Sequence, residues 1–294
     1  MGSILEPALR ACFDELTVGG GDLGCQIAVD ADVVVLAISS NEQCVNSSRM
    51  AKEWLAAREH PEQVATLLNI NSVQASVREA LGHALEGQEL KSSVVIISLH
   101  HMHPPAGFQD LFGKNWVLTG IDVLGGGEMM GALKEEARAL VARMVEEFPK
   151  KYGGNPDARP NLLDLSERSM EVEQGEEVLT LNGSQIHDWI AAVYQATFHM
   201  LKLVPGIQAT EEYRKNFSTV VASDDLSRSI VEENPFARTL NEKILTQIGE
   251  DRSFANVVAT LKKLITEEGR KFASIPGAEA VMTANVKKLV ETSL

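Results

Sequence analysis

Three of the seven histidines in this 294-residue chain, His100, His101 and His103, fall within four positions, directly after the apolar run from Val94 to Leu99. Imidazole titrates near neutral pH and binds zinc, copper, iron and nickel. His101 and His103 are two apart, so an extended segment puts both on one face, where they can serve as a base or as two metal ligands. A catalytic zinc site needs a third protein ligand, and Asp110 is the nearest acid downstream. The plainer reading is that Pro104-Pro105 forces an extended turn and the histidines decorate it. No HExxH spacing supports the metal.

A second candidate is the run Gly125-Gly126-Gly127, which follows the strand-like Trp116–Leu124 and precedes a helical pattern. Glycines let a backbone approach an anion, and the free N–H groups at a helix start supply donors. Gly125, Gly127 and Gly131 give a spacing that resembles a dinucleotide-binding turn. That resemblance covers seven residues and implies a phosphate-bearing ligand; it implies no particular enzyme. Glu128 departs from the pattern by placing a negative charge beside the phosphate, and no strand with a ribose-binding acid follows. The plainer reading is a strand-to-helix turn.

Ser39 and Ser40 form the third candidate, just after the apolar run Val33–Ile38. In an open α/β sheet the carboxyl ends of the strands line the ligand crevice. If 33–38, 94–99 and 116–124 run parallel, Ser39, Ser40, the histidines and Gly125 to Gly127 gather at one edge. One antiparallel strand sends its residues to the opposite edge.

The elements that must hold these groups divide near residue 151. Residues 1–152 mix β-branched apolar runs with helical spacing. Strands are expected at Cys25–Val29, Val33–Ile38, Val94–Leu99 and Trp116–Leu124. Helices are expected from Ser47 or Ser48 to Arg58, from Pro61, over Ser72–Leu85 with Gly87 ending it, and over Met129–Phe148. The fold class is α/β or α+β: a small, mainly apolar sheet flanked by helices, then an all-helical C-terminal region. The interval from Leu99 to Trp116 is short for a parallel crossover and weakens the doubly wound version. Residues 153–180, rich in Gly, Pro and acids, are expected as a linker or long loop. Residues 181–294 read as helices, with Ser184 capping the first and others at Glu211–Ala222, Asp224–Glu232, Pro235–Ile248, Ser253–Glu268 and Ala278–Glu291.

Composition excludes more than it assigns. The chain carries 27 basic against 41 acidic side chains, net −14, and no basic stripe, which disfavours a nucleic-acid partner. No run approaches the roughly 18 apolar residues of a membrane helix, so no membrane partner is expected. The three cysteines form no CxxC pair and read as reduced thiols. With no basic-then-apolar leader at residues 1–7, the expected location is cytoplasmic. Two functions remain. One is an α/β protein that binds a small anionic or phosphorylated molecule, whether or not it also acts on it as an enzyme, with no cofactor assigned. The other is an assembly or adaptor protein that meets its own copies or a protein partner through its C-terminal helices.

Overall fold

The computed structural model describes residues 29–38, 43–102, 115–152, 161–174, 177–209 and 232–278. The fold is α/β. The chain forms two compact units, Met1–His101 with Gln109–Arg168, and Met102–Phe108 with Ser169–Leu294. The expected strand Cys25–Val29 and the helices expected at 211–222, 224–232 and 278–291 lie wholly or almost wholly outside the described residues.

The first unit is a five-stranded sheet in the order β1 (Val33–Leu36), β2 (Ala65–Asn69), β3 (Val94–Met102), β4 (Asn115–Leu124) and β5 (Asn161–Asp164). Helices α1 (Gln43–Ala57) and α2 (Ala75–Leu85) connect β1 to β2 and β2 to β3, and α3 (Met130–Tyr152) connects β4 to β5. The pairs β1/β2, β2/β3 and β4/β5 are parallel. At the remaining boundary, Ser93, just before β3, donates through Oγ to the carbonyl of Gly125, just after β4, at 3.4 Å. Farther along β3, the carbonyl of Ser98 accepts from Thr119 Oγ1, in the middle of β4, at 3.1 Å. Moving forward along β3 therefore means moving backward along β4, and the sheet is mixed.

That reversal decides where the helices lie. A strand–helix–strand crossover between parallel strands is nearly always right-handed. With the strand direction reversed and the lateral order unchanged, the same hand puts α3 on the opposite face from α1 and α2. The cores agree. Ala51, Trp54, Val77, Leu81 and Leu85 pack with Leu36, Ala65, Leu67, Val94 and Ile96 on one face. Leu133, Ala137, Val141 and Met144 pack with Leu68, Val95, Ile97, Leu99, Trp116 and Leu118 on the other. Each fully buried Leu, Ile or Val contributes about 1.5–3 kcal/mol, so neither layer is dispensable. On β4, Leu118 and Ile121 share the α3 face although three residues apart. Gly120 lies under Arg78 of α2, where a Cβ would meet the guanidinium. The two-residue period slips by one at Thr119-Gly120, as a β-bulge does.

The segment after Pro61, expected to open a helix, forms β2 instead. It is the central strand of the parallel half, with Leu67 facing one core and Leu68 the other. A short strand, Ala65–Asn69, with Leu67 and Leu68 buried on opposite faces, has no helical or strand period of its own; the neighbours choose.

The second unit starts with a two-stranded antiparallel sheet, β6 (Ser169–Gln174) and β7 (Glu177–Asn182), followed by α4 (Gly183–Lys202), α5 (Pro235–Ile248) and α6 (Phe254–Lys271). Residues 153–180, expected as a linker, thus hold β5, β6 and the start of β7. The period is two: Met170 and Val172 are buried while Glu171 and Glu173 are exposed. Reading those glutamates as a linker's charge run hid the strand. Asn182, not Ser184, caps α4, in a capping box with Gln185. Asn234 caps α5 ahead of Pro235, and Ser253 caps α6. Among the described residues no helix is long and apolar enough to cross a membrane.

Candidate ligand-binding edge

Because β1, β2 and β3 are parallel, their carboxyl ends lie at one edge, with β1 and β3 about 9.5 Å apart across β2. Helix α1 follows β1 and α2 follows β2, so both helices also begin there. Neither has an acidic residue in its first turn. Helix amino termini carry positive partial charge and unsatisfied N–H donors. His101 is the penultimate residue of β3. His100 is half-buried and continues the alternation of Val94, Ile96 and Ser98 on the α2 side. Ser39, Ser40, His103 and Asp110 lie outside the described residues; the two serines come three and four residues after β1. Among the described residues, no group of three or more His, Cys, Asp or Glu side chains could hold a metal ion.

Beneath this edge lies a row of neutral polar side chains, all excluded from solvent: Ser47, Asn69, Asn71, Gln74, Ser98 and Thr119. Asn71, two residues past β2, accepts from the Ile38 backbone N–H through Oδ1 at 2.8 Å. Its Nδ2 donates to Ser47 Oγ of α1 at 3.0 Å and to Asn69 Oδ1 at 2.8 Å. Asn69 Nδ2 donates to Gln74 Oε1 at 3.3 Å and to Ser98 Oγ at 3.5 Å. Gln74 Nε2 donates to the Asn71 carbonyl, and Thr119 Oγ1 lies 3.1 Å from Gln74 Oε1. Asn69 and Ser98 are register partners in adjacent strands, so the row crosses the sheet. Burying an amide without a partner costs several kcal/mol, which is why each member is tied to another.

Gln74 occupies the N-cap position of α2 but makes no side-chain cap hydrogen bond. Its amide is committed to the row below. One turn on, Arg78 reaches across Gly120 and grips Asp122 of β4 with both arms, Nε to Oδ2 at 2.5 Å and Nη2 to Oδ1 at 2.6 Å. The α2 start is thereby fixed to both β2 and β4.

The glycine run lies at the other edge, since β4 runs opposite to β3. Gly125 and Gly127 adopt positive φ, 72° and 50°, where other residues are strained. A Cβ on Gly126 would come within 2.6 Å of Val123. The three glycines thus meet the demands of the turn into α3. Of the expected site residues, the sheet brings the strand ends before Ser39–Ser40 and at His101 to one edge and puts Gly125 to Gly127 at the opposite one. Asn69, Asn71 and Gln74 were not legible as site residues, because Asn and Gln between apolar runs read as turn and cap formers.

In the second unit the buried polar groups include neutral ones, Ser184, Asn234, Asn241 and Thr260, and an ionic cluster around Glu268. Glu268 of α6 is 1% exposed. It accepts from Trp189 Nε1 at 2.9 Å and pairs with Lys271 at 2.9 Å and Lys243 at 3.4 Å. Trp189 stacks on Phe236 at 5.0 Å, and the Lys271 ammonium lies 4.7 Å from its ring centroid. Burial pulls the Lys243 ammonium down, but Glu267 and Glu268 outweigh it and hold its pKa above the ordinary lysine value. The Lys243 hydrogen bond holds the Glu267 carboxyl below the ordinary range. On α4, His187 Nδ1 lies 2.9 Å from Asp188 Oδ1, both excluded from solvent.

Fold and edge together define an open α/β sheet with helices on both faces and helix starts gathered at the carboxyl ends of its parallel half. No family model matches the chain. No curated protein matches it either. Among solved structures, a conserved hypothetical protein from Sinorhizobium meliloti 1021 is similar at 15% identity and a TM-score of 0.31, over 89% of this chain and 68% of that one.

Proposed function

We propose that the α/β unit binds a small anionic molecule, of the phosphorylated class, at the carboxyl edge of β1, β2 and β3. The observation that carries this reading is the meeting at one edge of two helices, α1 and α2, with no acid in the first turn, although Glu42 directly precedes α1, and with the α2 N-cap side chain turned away from capping. Anions favour helix amino termini through the dipole. His100 and His101, at the end of β3, add groups able to carry positive charge or a proton. In the catalytic extension of this reading, His101 and His103 act as acid–base groups or, with Asp110, as metal ligands. The setting is cytoplasmic, in keeping with the sparse cysteine set, of which Cys44 forms no disulfide.

Calorimetric titration with inorganic phosphate and with AMP tests the reading. Binding that weakens about tenfold in His100→Ala, the loss of one charge-assisted contact, supports it. A chain that takes up neither compound sinks it. Metal analysis of purified protein, compared with a His101→Ala/His103→Ala variant, tests the metal extension; protein purified without stoichiometric metal overturns that part alone.

The assembly reading has less support. Val257, Val258, Leu261 and Leu264 of α6 and Leu240, Ile244 and Ile248 of α5 are buried. Among the described residues of α4, α5 and α6, Leu245 is the exposed large apolar side chain.

A further inference from the structure

We infer that one continuous chain of side-chain hydrogen bonds positions both halves of the ligand edge as a single piece, an inference that rests on the anion reading above. The chain starts in α1 at Ser47 and passes through Asn71 and Asn69 to Gln74 at the start of α2. It ends at Thr119 on β4, whose single hydroxyl proton is shared between Gln74 Oε1 and the Ser98 carbonyl, each at 3.1 Å. Its side branch is the Ile38 N–H, held by Asn71 Oδ1 where β1 leads into residues 39–42. The two helix starts and the β1 exit, which the anion would touch, therefore share one set of amides.

The donor arithmetic makes the chain directional. Asn71 Nδ2 has two protons, and Ser47 and Asn69 take both. Asn69 Oδ1 accepts that proton and the Asn71 backbone N–H, at 3.2 Å, while its Nδ2 serves Gln74 and Ser98. Rotating any one amide to point its oxygen where its nitrogen was would set like atoms against each other at both ends. In a dry interior that mismatch is costly, so the amides hold one arrangement together. None of these side chains touches the ligand in this account; they are positioning residues.

Ser47 and Thr119 stand at opposite ends of the chain with three amide side chains between them. Separated sites that share no partner have additive effects. The test is a double-mutant cycle with Ser47→Ala and Thr119→Val, both small changes that preserve volume. The readouts are inorganic phosphate affinity and amide exchange at Ile38. Each single variant is expected to weaken phosphate binding about fivefold, the worth of one neutral hydrogen bond. The double variant is expected to stay near fivefold; about 25-fold is what independence gives. Thr119→Val is also expected to speed exchange at Ile38 more than at Leu81, a buried α2 residue outside the chain, whose exchange reports general loss of stability. Additive effects on phosphate, with Ile38 and Leu81 accelerated equally, overturn the inference. A wild-type chain that takes up no phosphate removes the anion reading alone, and the Ile38-to-Leu81 comparison then decides the positioning chain by itself.

Discussion

The two units differ in the largest polar cluster each one buries. The sheet unit uses neutral amides and hydroxyls, Ser47, Asn69, Asn71, Gln74, Ser98 and Thr119, each tied to the next. The helical unit adds a charged cluster, Glu268 with Lys243 and Lys271. A neutral network responds weakly to salt and pH and strongly to the loss of a partner. An ionic cluster whose lysines are about 40% exposed is screened by salt and follows the protonation of its members. The difference fits the proposed roles, because a ligand edge that must hold its geometry gains from amides that keep one protonation state.

The largest expected effect is at the centre of the neutral row. Asn69→Ala removes partners from Asn71, Gln74 and Ser98 together and should cost about 3 kcal/mol in denaturant unfolding, unchanged between low and high salt. A loss that shrinks in 1 M salt would break the contrast. Next is Glu268→Gln, which keeps an acceptor for Trp189 but leaves Lys243 and Lys271 without the buried charge. It should cost about 1–2 kcal/mol at low salt and less at high salt. Trp189 emission follows this unit, while Trp54 and Trp116 follow the other.

A smaller effect concerns pH. Because the folded-state pKa of Glu267 is depressed, its contribution is complete above the unfolded carboxylate value, about 4.3, and is lost as pH falls through the lowered one. Because that of Lys243 is raised, its contribution is complete below about 10.4 and is lost as pH rises through the raised value. In Lys243→Met, the transition followed at Trp189 should lose part of its acid dependence, while the sheet unit's transition keeps its own. Equal pH profiles in wild type and variant would remove the pair from the account. The smallest effect is at the turn. Gly127→Ala meets no neighbour but must adopt φ of 50°, so it should cost about 1 kcal/mol and leave phosphate binding unchanged. Weaker phosphate binding would return the glycine run to the ligand site.

Much of the fold was legible in residue spacing. Val94–Leu99 and Trp116–Leu124 read as strands because β-branched and aromatic runs with turn residues around them suit a buried sheet. Ser72–Leu85 read as a helix stopped by Gly87, which does take positive φ. Pro235–Ile248 read correctly to the residue, because Asn-Pro gives a cap and a first turn together. β2 did not, since both its faces are buried, nor did β6, whose alternation is carried by glutamates.

The residues by themselves narrowed the class to α/β or α+β and set several helix boundaries, such as Pro235–Ile248, along with the polar groups present near each strand end. The short interval from Leu99 to Trp116 disfavoured a parallel crossover there, but strand direction itself was left to the tertiary structure. Nothing local in β3 or β4 says which way its neighbour runs, because either direction satisfies the same backbone donors and acceptors. That one antiparallel step put α3 on the far face and the glycine run at the far edge. It also laid Asn69, Ser98 and Thr119, far apart in the chain, side by side under Gln74, where their hydrogen bonds close only if all three strands are in register.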